Sequence, residues 1–285
     1  MVATGLRWTL AIELSAAFAA AWALGASPSA SAMLAPLAVL ALLATLVLVT
    51  FAIAWPRTSP AAIARECAAY FALFAALQPF ERLFMVAAGQ SPLLENKPPL
   101  IFVHGYLCNR GVWWWMLRKL RWHGIRAHAI NLEPPHASID ALAEGLHRGI
   151  EDFLQAYPGA KPILVTHSMG GLVARAYLKQ HGSARVQKLV TLASPHRGTR
   201  LAWLGLGQNA REARPGSPWL AALAAGETID VPLVNVWSTG DNFIAPQTSS
   251  HMETGREVAL EGLGHLSFLF SWRVLKLLLD ELENQ

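Results

Sequence analysis

The chain has 285 residues, with 23 Lys+Arg against 19 Asp+Glu, and 15% of its residues are charged. An ordinary soluble domain carries roughly 25%, and here the shortfall is concentrated: from Leu14 to Pro56 there is no Asp, Glu, Lys or Arg. A net charge of +4 without a basic run argues against nucleic-acid binding, and the two cysteines, Cys67 and Cys108, exclude a disulfide scaffold or a four-cysteine zinc site.

Residues 1–58 read as a membrane anchor. The stretch Trp8–Leu24 is broken only by Glu13, and Met33–Trp55 is a 23-residue run without charge. A helix crosses a ~30 Å hydrocarbon core with about 20 residues. Trp8, Trp22 and Trp55 sit near the ends of these runs, where interfacial tryptophans belong. The expectation is a transmembrane helical hairpin turning over Gly25–Ala32. Arg7, the first apolar run and Ala30-Ser31-Ala32 also suit a signal peptide, but the second span directly after it favours the hairpin. Glu13 is then an interfacial carboxylate. Residues 59–98 form a third unit. Arg65, Glu66, Glu81 and Arg82 bracket an apolar centre, Cys67–Leu77, that is too short to span. This reads as an amphipathic helix on the membrane surface or against the following domain, with Gln90–Pro99 as linker.

From 99 to 285 strands and helices alternate. In chain order the pattern gives a strand at Leu100–Val103, a helix at Gly111–His123 and a strand at Ile125–Leu132. A helix at Ser138–Tyr157, capped by Ser138, precedes a strand at Pro162–Thr166. There follow a helix at Gly170–His181, strands at Val186–Ala193, Val231–Trp237 and Glu257–Leu260, and a closing helix at Leu266–Leu282. Such alternation implies a mostly parallel sheet covered on both faces.

The sharpest motif is Thr166-His167-Ser168-Met169-Gly170-Gly171, where a buried strand runs into Ser168 and a helix leaves it. A sharp strand-to-helix turn lifts a serine hydroxyl above the sheet, beside the free N–H groups of the helix start. Thr166 stands where the usual motif has its first glycine, which crowds the turn. A serine nucleophile needs a base and an acid. His265, in Gly262-Leu263-Gly264-His265, follows the last strand, and its glycines leave a loop free to carry it over the serine. His251 is the second choice, and His181 ends a helix where a dipole partner belongs. Asp241 follows the Val231–Trp237 strand at the end where such sites assemble; Asp230 precedes that strand and Asp280 lies in the last helix. Oxyanion donors are expected at the backbone N–H of Met169 and of Tyr106, with Leu107 as the alternative to Tyr106. His104 reads as structural.

These pieces, together with Val103-His104-Gly105-Tyr106 and Ser194-Pro195-His196-Arg197-Gly198-Thr199, make residues 99–285 resemble a bacterial lipase of the α/β-hydrolase superfamily. The resemblance implies the α/β-hydrolase fold, carboxylic-ester hydrolysis through an acyl-enzyme, and no organic cofactor. Some related lipases hold a structural calcium; no paired acids stand near His265 to carry one over, so no metal is expected. In such lipases the Ser-Pro-His-x-Gly-Thr stretch leads into a lid, here roughly Leu201–Gly226, whose Leu201, Trp203, Leu204, Leu206, Trp219, Leu220 and Leu223 suit a greasy substrate or simply cover the core. Trp113-Trp114-Trp115 offers acyl pocket or core. The expected function is a membrane-anchored serine ester hydrolase acting on a small-molecule or lipid ester, with the lipid bilayer as partner and no nucleic acid. An acyltransferase with the same triad and a non-catalytic lipid- or partner-binding module are the alternatives. Arg7, Arg57 and Arg65 flank the two apolar runs while their turn has no Lys or Arg. This bias places the hydrolase on the cytoplasmic side of a bacterial inner membrane.

Overall fold

Short runs rich in Val, Ile, Leu and Phe, each ended by turn residues, build the sheet. The computed structural model describes residues 1–86, 97–225 and 229–283; most of the expected linker and Gly226 lie outside them. The strands are β1 (Leu100–Val103), β2 (Ala127–Ile130), β3 (Ile163–His167), β4 (Lys188–Leu192), β5 (Leu233–Ser238) and β6 (Arg256–Leu260). They form one sheet in the order β2-β1-β3-β4-β5-β6, and every pairing is parallel. Central β1, β3 and β4 are buried throughout, whereas edge strand β6 is largely exposed, as a sheet covered by helices on both faces requires.

Among the described residues, ten α-helices surround or precede the sheet: α1 (Val2–Ala23), α2 (Pro28–Ala54), α3 (Pro60–Phe71), α4 (Glu81–Val86), α5 (Trp114–Trp122), α6 (Ile139–Ala156), α7 (Met169–His181), α8 (Gln208–Glu212), α9 (Pro218–Ala225) and α10 (Trp272–Glu283). Alternate side chains along each strand serve opposite faces. Leu100 and Phe102 pack with Trp113 and Leu117 of the α5 region and Leu275 of α10. Ile101 and Val103 pack with Leu142 and Leu146 of α6 and Leu172 of α7. Ser138 caps α6, its hydroxyl accepting from Ala141 N at 3.1 Å.

Two expected helices are divided. Gly111–His123 begins as a 3-10 turn, Arg110–Trp113, capped by Asn109. Leu266–Leu282 splits into a 3-10 turn, Leu266–Phe270, and α10, with extended Ser271 between them. Trp113 is fully buried against Phe102, so it belongs to the core; Trp114 and Trp115 are half-buried beside it.

At the N-terminus α1 and α2 pack against each other as a helical hairpin. Its turn is tighter than Gly25–Ala32, because Ser27 caps α2, accepting from Ala30 N, and Pro28 occupies the first helical position, where proline is preorganised. Two helical segments among the described residues are long and apolar enough to cross a membrane, Pro28–Ala54 and Pro60–Leu77. α1, with Arg7 and Glu13, is long enough but less apolar. The second segment combines α3 with a π-helical stretch, Ala72–Leu77. Its Ala69, Leu73 and Leu77 are part of the sheet core, so α3 packs against the sheet domain rather than lying free on a surface. Between β4 and β5 the cap holds a 3-10 turn, Arg200–Trp203, then α8 and α9. Glu212 ties it down by accepting from Ile139 N at 2.6 Å.

Candidate active site

Parallel strands send all their C-terminal loops to one edge of the sheet, and the candidate residues gather there. Ser168 sits between β3 and α7 with φ 56° and ψ −129°. That left-handed backbone is strained for a residue with a Cβ, and such strain is characteristic of functional turns. Three glycines make the turn possible. A Cβ on Gly170 would stand 2.7 Å from the His104 carbonyl oxygen and 2.8 Å from that of Val103. One on Gly171 would collide with the Ser194 side chain, while Thr166 Oγ1 would lie at an ordinary contact distance of 3.4 Å, so Gly171 makes room for Ser194. One on Gly105 would approach Ser168 Cβ to 2.8 Å, so the loop after β1 runs directly beside the serine.

That loop carries Tyr106, and Leu107 follows with φ 51°. Met169 opens α7, and the first amides of a helix have no partner within it. The Tyr106 hydroxyl donates to Leu206 O and accepts from Leu206 N, both at 2.7 Å, fastening this loop to the cap. His104 fixes the loop from below: its Nδ1–H donates to Gly105 O at 3.0 Å and its Nε2 accepts from Leu132 N at 2.9 Å. Burial lowers its pKa to about 4, so the ring is neutral.

His265 and Asp241 are both buried and paired, with Nδ1 of the imidazole 2.9 Å from Oδ2 and 3.1 Å from Oδ1. Asp241 Oδ1 also accepts from Phe243 N at 2.8 Å and Ile244 N at 2.9 Å. The His265 ring stacks on Phe243, with centroids 5.0 Å apart. Phe243, Ile244, Ser168, Met169 and Tyr106 all line one cavity of about 290 Å³. His251 is elsewhere, against Trp237 and 3.4 Å from Glu257. His181 pairs with Glu144.

The sequence reading missed the residues that hold the histidine loop. Glu66 of α3 is fully buried, and its carboxylate accepts from Leu266 N (2.7 Å), Ser267 N (2.9 Å) and Ser267 Oγ (2.7 Å). A Cβ on Gly264 would strike this carboxylate. Gly264 therefore admits Glu66 rather than letting His265 swing. His167 donates from Nε2 to the His265 carbonyl at 3.0 Å, and its pKa is lowered by burial. Asn242 accepts from His265 N at 3.0 Å and donates to Thr50 Oγ1 of α2 at 2.7 Å. Gln247 donates to Asp241 O at 3.0 Å and to Ala54 O, at the end of α2, at 3.2 Å. On the opposite side Gln78 accepts from Asn109 N at 3.0 Å. The N-terminal helices thus brace the loops on both sides of Ser168. Only proximity in the fold reveals these partners; their one sequence signal is the charged pair Arg65-Glu66 inside a helix whose other residues are mostly apolar.

The comparisons with known proteins agree with this geometry at the level of fold. Residues 98–221 match the family described as alpha/beta hydrolase fold. A pimeloyl-[acyl-carrier protein] methyl ester esterase of Vibrio vulnificus is 33% identical over 110 residues, 38% of this chain and 42% of that protein. The chain thus spans less than half the length of that relative. The Bacillus licheniformis lipase BlEst2 superposes with a TM-score of 0.61 at 17% identity, covering 67% of this chain and 94% of the lipase. Aspergillus fumigatus lipase B gives 0.60 at 17% identity, over 69% and 55% of the two chains. With a six-stranded parallel sheet, a serine on a left-handed strand-to-helix turn and a matching family over 98–221, this chain has the α/β-hydrolase fold.

Proposed function

We propose that this chain is a membrane-anchored serine hydrolase of carboxylic esters, lipase-like, with the hydrolase on the cytoplasmic side of the membrane. The observation that carries the reading is Ser168 on its strained turn, opening into an apolar cavity that is also lined by Phe243, the ring on which His265 stacks while paired with Asp241. His265 takes the Ser168 proton on Nε2 as the hydroxyl oxygen attacks the ester carbonyl. Asp241 accepts from Nδ1–H, fixing that tautomer and stabilising the imidazolium. The N–H groups of Met169 and Tyr106 receive the negative charge that develops on the carbonyl oxygen. His265 then returns the proton to the departing alcohol; water next attacks the acyl-enzyme carbonyl while giving a proton to His265, and that proton passes to Ser168 Oγ as the C–O bond to the serine breaks and the carboxylic acid leaves. The Vibrio vulnificus relative, named as a methyl ester esterase, supports the reaction class.

The test is a fluorophosphonate probe on the full chain in detergent, alongside hydrolysis of p-nitrophenyl acetate. Labelling that disappears in Ser168→Ala, together with ester hydrolysis, is the expected result. A chain that hydrolyses no ester and takes no probe at Ser168 would be a non-catalytic module. Transfer of the acyl group to an added alcohol in preference to water would make it an acyltransferase.

A further inference from the structure

The cavity at Ser168 is not enclosed by the hydrolase domain alone. Leu46, Val49 and Thr50 of α2 form part of its lining, facing Leu201 and Leu204 of the cap. Leu46 and Val49 are also 44% and 45% exposed, and Leu204 is 69% exposed. Side chains that line the cavity therefore also face outward, and its mouth lies between α2 and the cap. Leu42, 44% exposed, stands one turn before Leu46 on the same helix face. An apolar stripe thus leads from the mouth along a helix that is long and apolar enough to lie in a bilayer.

Resting on the ester-hydrolase reading above, we propose that α2 is one wall of the acyl site. The substrate is then a bilayer-dissolved long-chain ester whose acyl chain leaves the cavity sideways, between Leu46 and Leu204. At about 290 Å³ the cavity is at the lower end of the ~300–1,000 Å³ usual for small-molecule sites. A short acyl group fits inside it. A long chain has to emerge, and the stripe of α2 keeps its methylenes in apolar surroundings where it does. Tyr106, joined to Leu206 by its hydroxyl, holds the cap side of this mouth in register with the loop beside Ser168. On this arrangement the anchor is a specificity element and not only a tether.

The experiment compares p-nitrophenyl palmitate with p-nitrophenyl acetate, using the full chain in phosphatidylcholine vesicles. The readout is the ratio of the two kcat/KM values. Leu46→Trp and Val49→Trp narrow the mouth, and their outward exposure leaves room for the indole without unfolding. Each should lower the palmitate-to-acetate ratio by about ten-fold or more, the scale on which a few methylene contacts discriminate. Leu37→Trp, 59% exposed and on the opposite side of α2 from Leu46, should leave the ratio unchanged. If both mouth variants keep the ratio within about two-fold, or lose the two esters in equal proportion, α2 is no part of the acyl site. If the unsubstituted chain hydrolyses neither ester and no probe labels Ser168, the hydrolase reading itself fails and this proposal with it.

Discussion

At Ser168 the chain tolerates an unfavourable backbone conformation, and three glycines on two segments make it possible. Ser168→Ala should keep the fold and lower ester hydrolysis by ~10⁴-fold or more; retention of a tenth of the activity would sink the nucleophile assignment. Gly105→Ala is a sharper probe of geometry, because its methyl would meet Ser168 Cβ at 2.8 Å. The loop then has to move away from the serine and take the Tyr106 N–H with it. A loss of about 10²-fold or more in kcat is expected, the scale of one oxyanion donor, and unchanged kinetics would show that the Tyr106 amide plays no part. The sequence places the candidates Ser168, Asp241, His265, Met169 and Tyr106, because each is tied to the end of a recognisable strand or the start of a helix, and the fold gathers them at one edge of the sheet. Glu66, Asn242, His167 and Gln247 could not, since their partners are distant in sequence and no local pattern marks them.

α3 takes the second of its two expected positions, against the following domain. Pro60–Leu77 passes as a membrane span, yet its buried carboxylate is used to hold the turn that begins at Leu266. The boundaries of α6 and α7 are legible because a cap and glycines lie next to the apolar runs, whereas the strands are legible in place but not in extent: the apolar runs at Ile125–Leu132, Val186–Ala193 and Val231–Trp237 each begin two residues before the paired segment. The break at Ser271 is not legible, since Leu266–Leu282 reads as one closing helix; the amides that Glu66 occupies lie at the start of the 3-10 turn before it. Glu66→Ala strips a partner from the buried N–H groups of Leu266 and Ser267, and an orphaned buried group costs roughly 1–3 kcal/mol. The variant should melt earlier in detergent and lose kcat through a displaced His265, while Glu66→Gln, which keeps the shape, should lose less of both. Equal melting temperatures for all three forms would mean that the carboxylate does not hold the loop.

Two properties belong to the whole molecule. The first is its response to acid. His104, His167 and His196 are buried, and burial lowers the pKa of each, that of His104 to about 4. Near pH 5 the unfolded chain would protonate these rings while the folded chain would not, so protons favour unfolding. Their stability is complete above the ordinary histidine value of 6.5 and is lost as pH falls from there toward 4. His104 alone accounts for about 3 kcal/mol across that window. Melting temperature in detergent should therefore drop between pH 6.5 and 4, and His104→Gln should flatten part of the drop; a flat profile would contradict the neutral buried rings. The second property is sidedness. Arg7 precedes the apolar part of α1, Arg57 and Arg65 follow α2, and the turn between the helices has neither Lys nor Arg. Positive residues bias their segments to the cytoplasm, so on the proposed membrane-anchored reading a hairpin that crosses twice is expected to return the chain to the cytoplasmic face. A third crossing by Pro60–Leu77 would reverse the outcome, but it would pull the Glu66 carboxylate out of the His265 loop and Leu73 and Leu77 out of the core. The hydrolase domain should therefore stay on the side of Arg57. A reporter that is active only outside the cytoplasm, fused after Gln285, should be silent, and one active only inside should work; the reverse result would place Ser168 on the outer face and overturn the assignment of side.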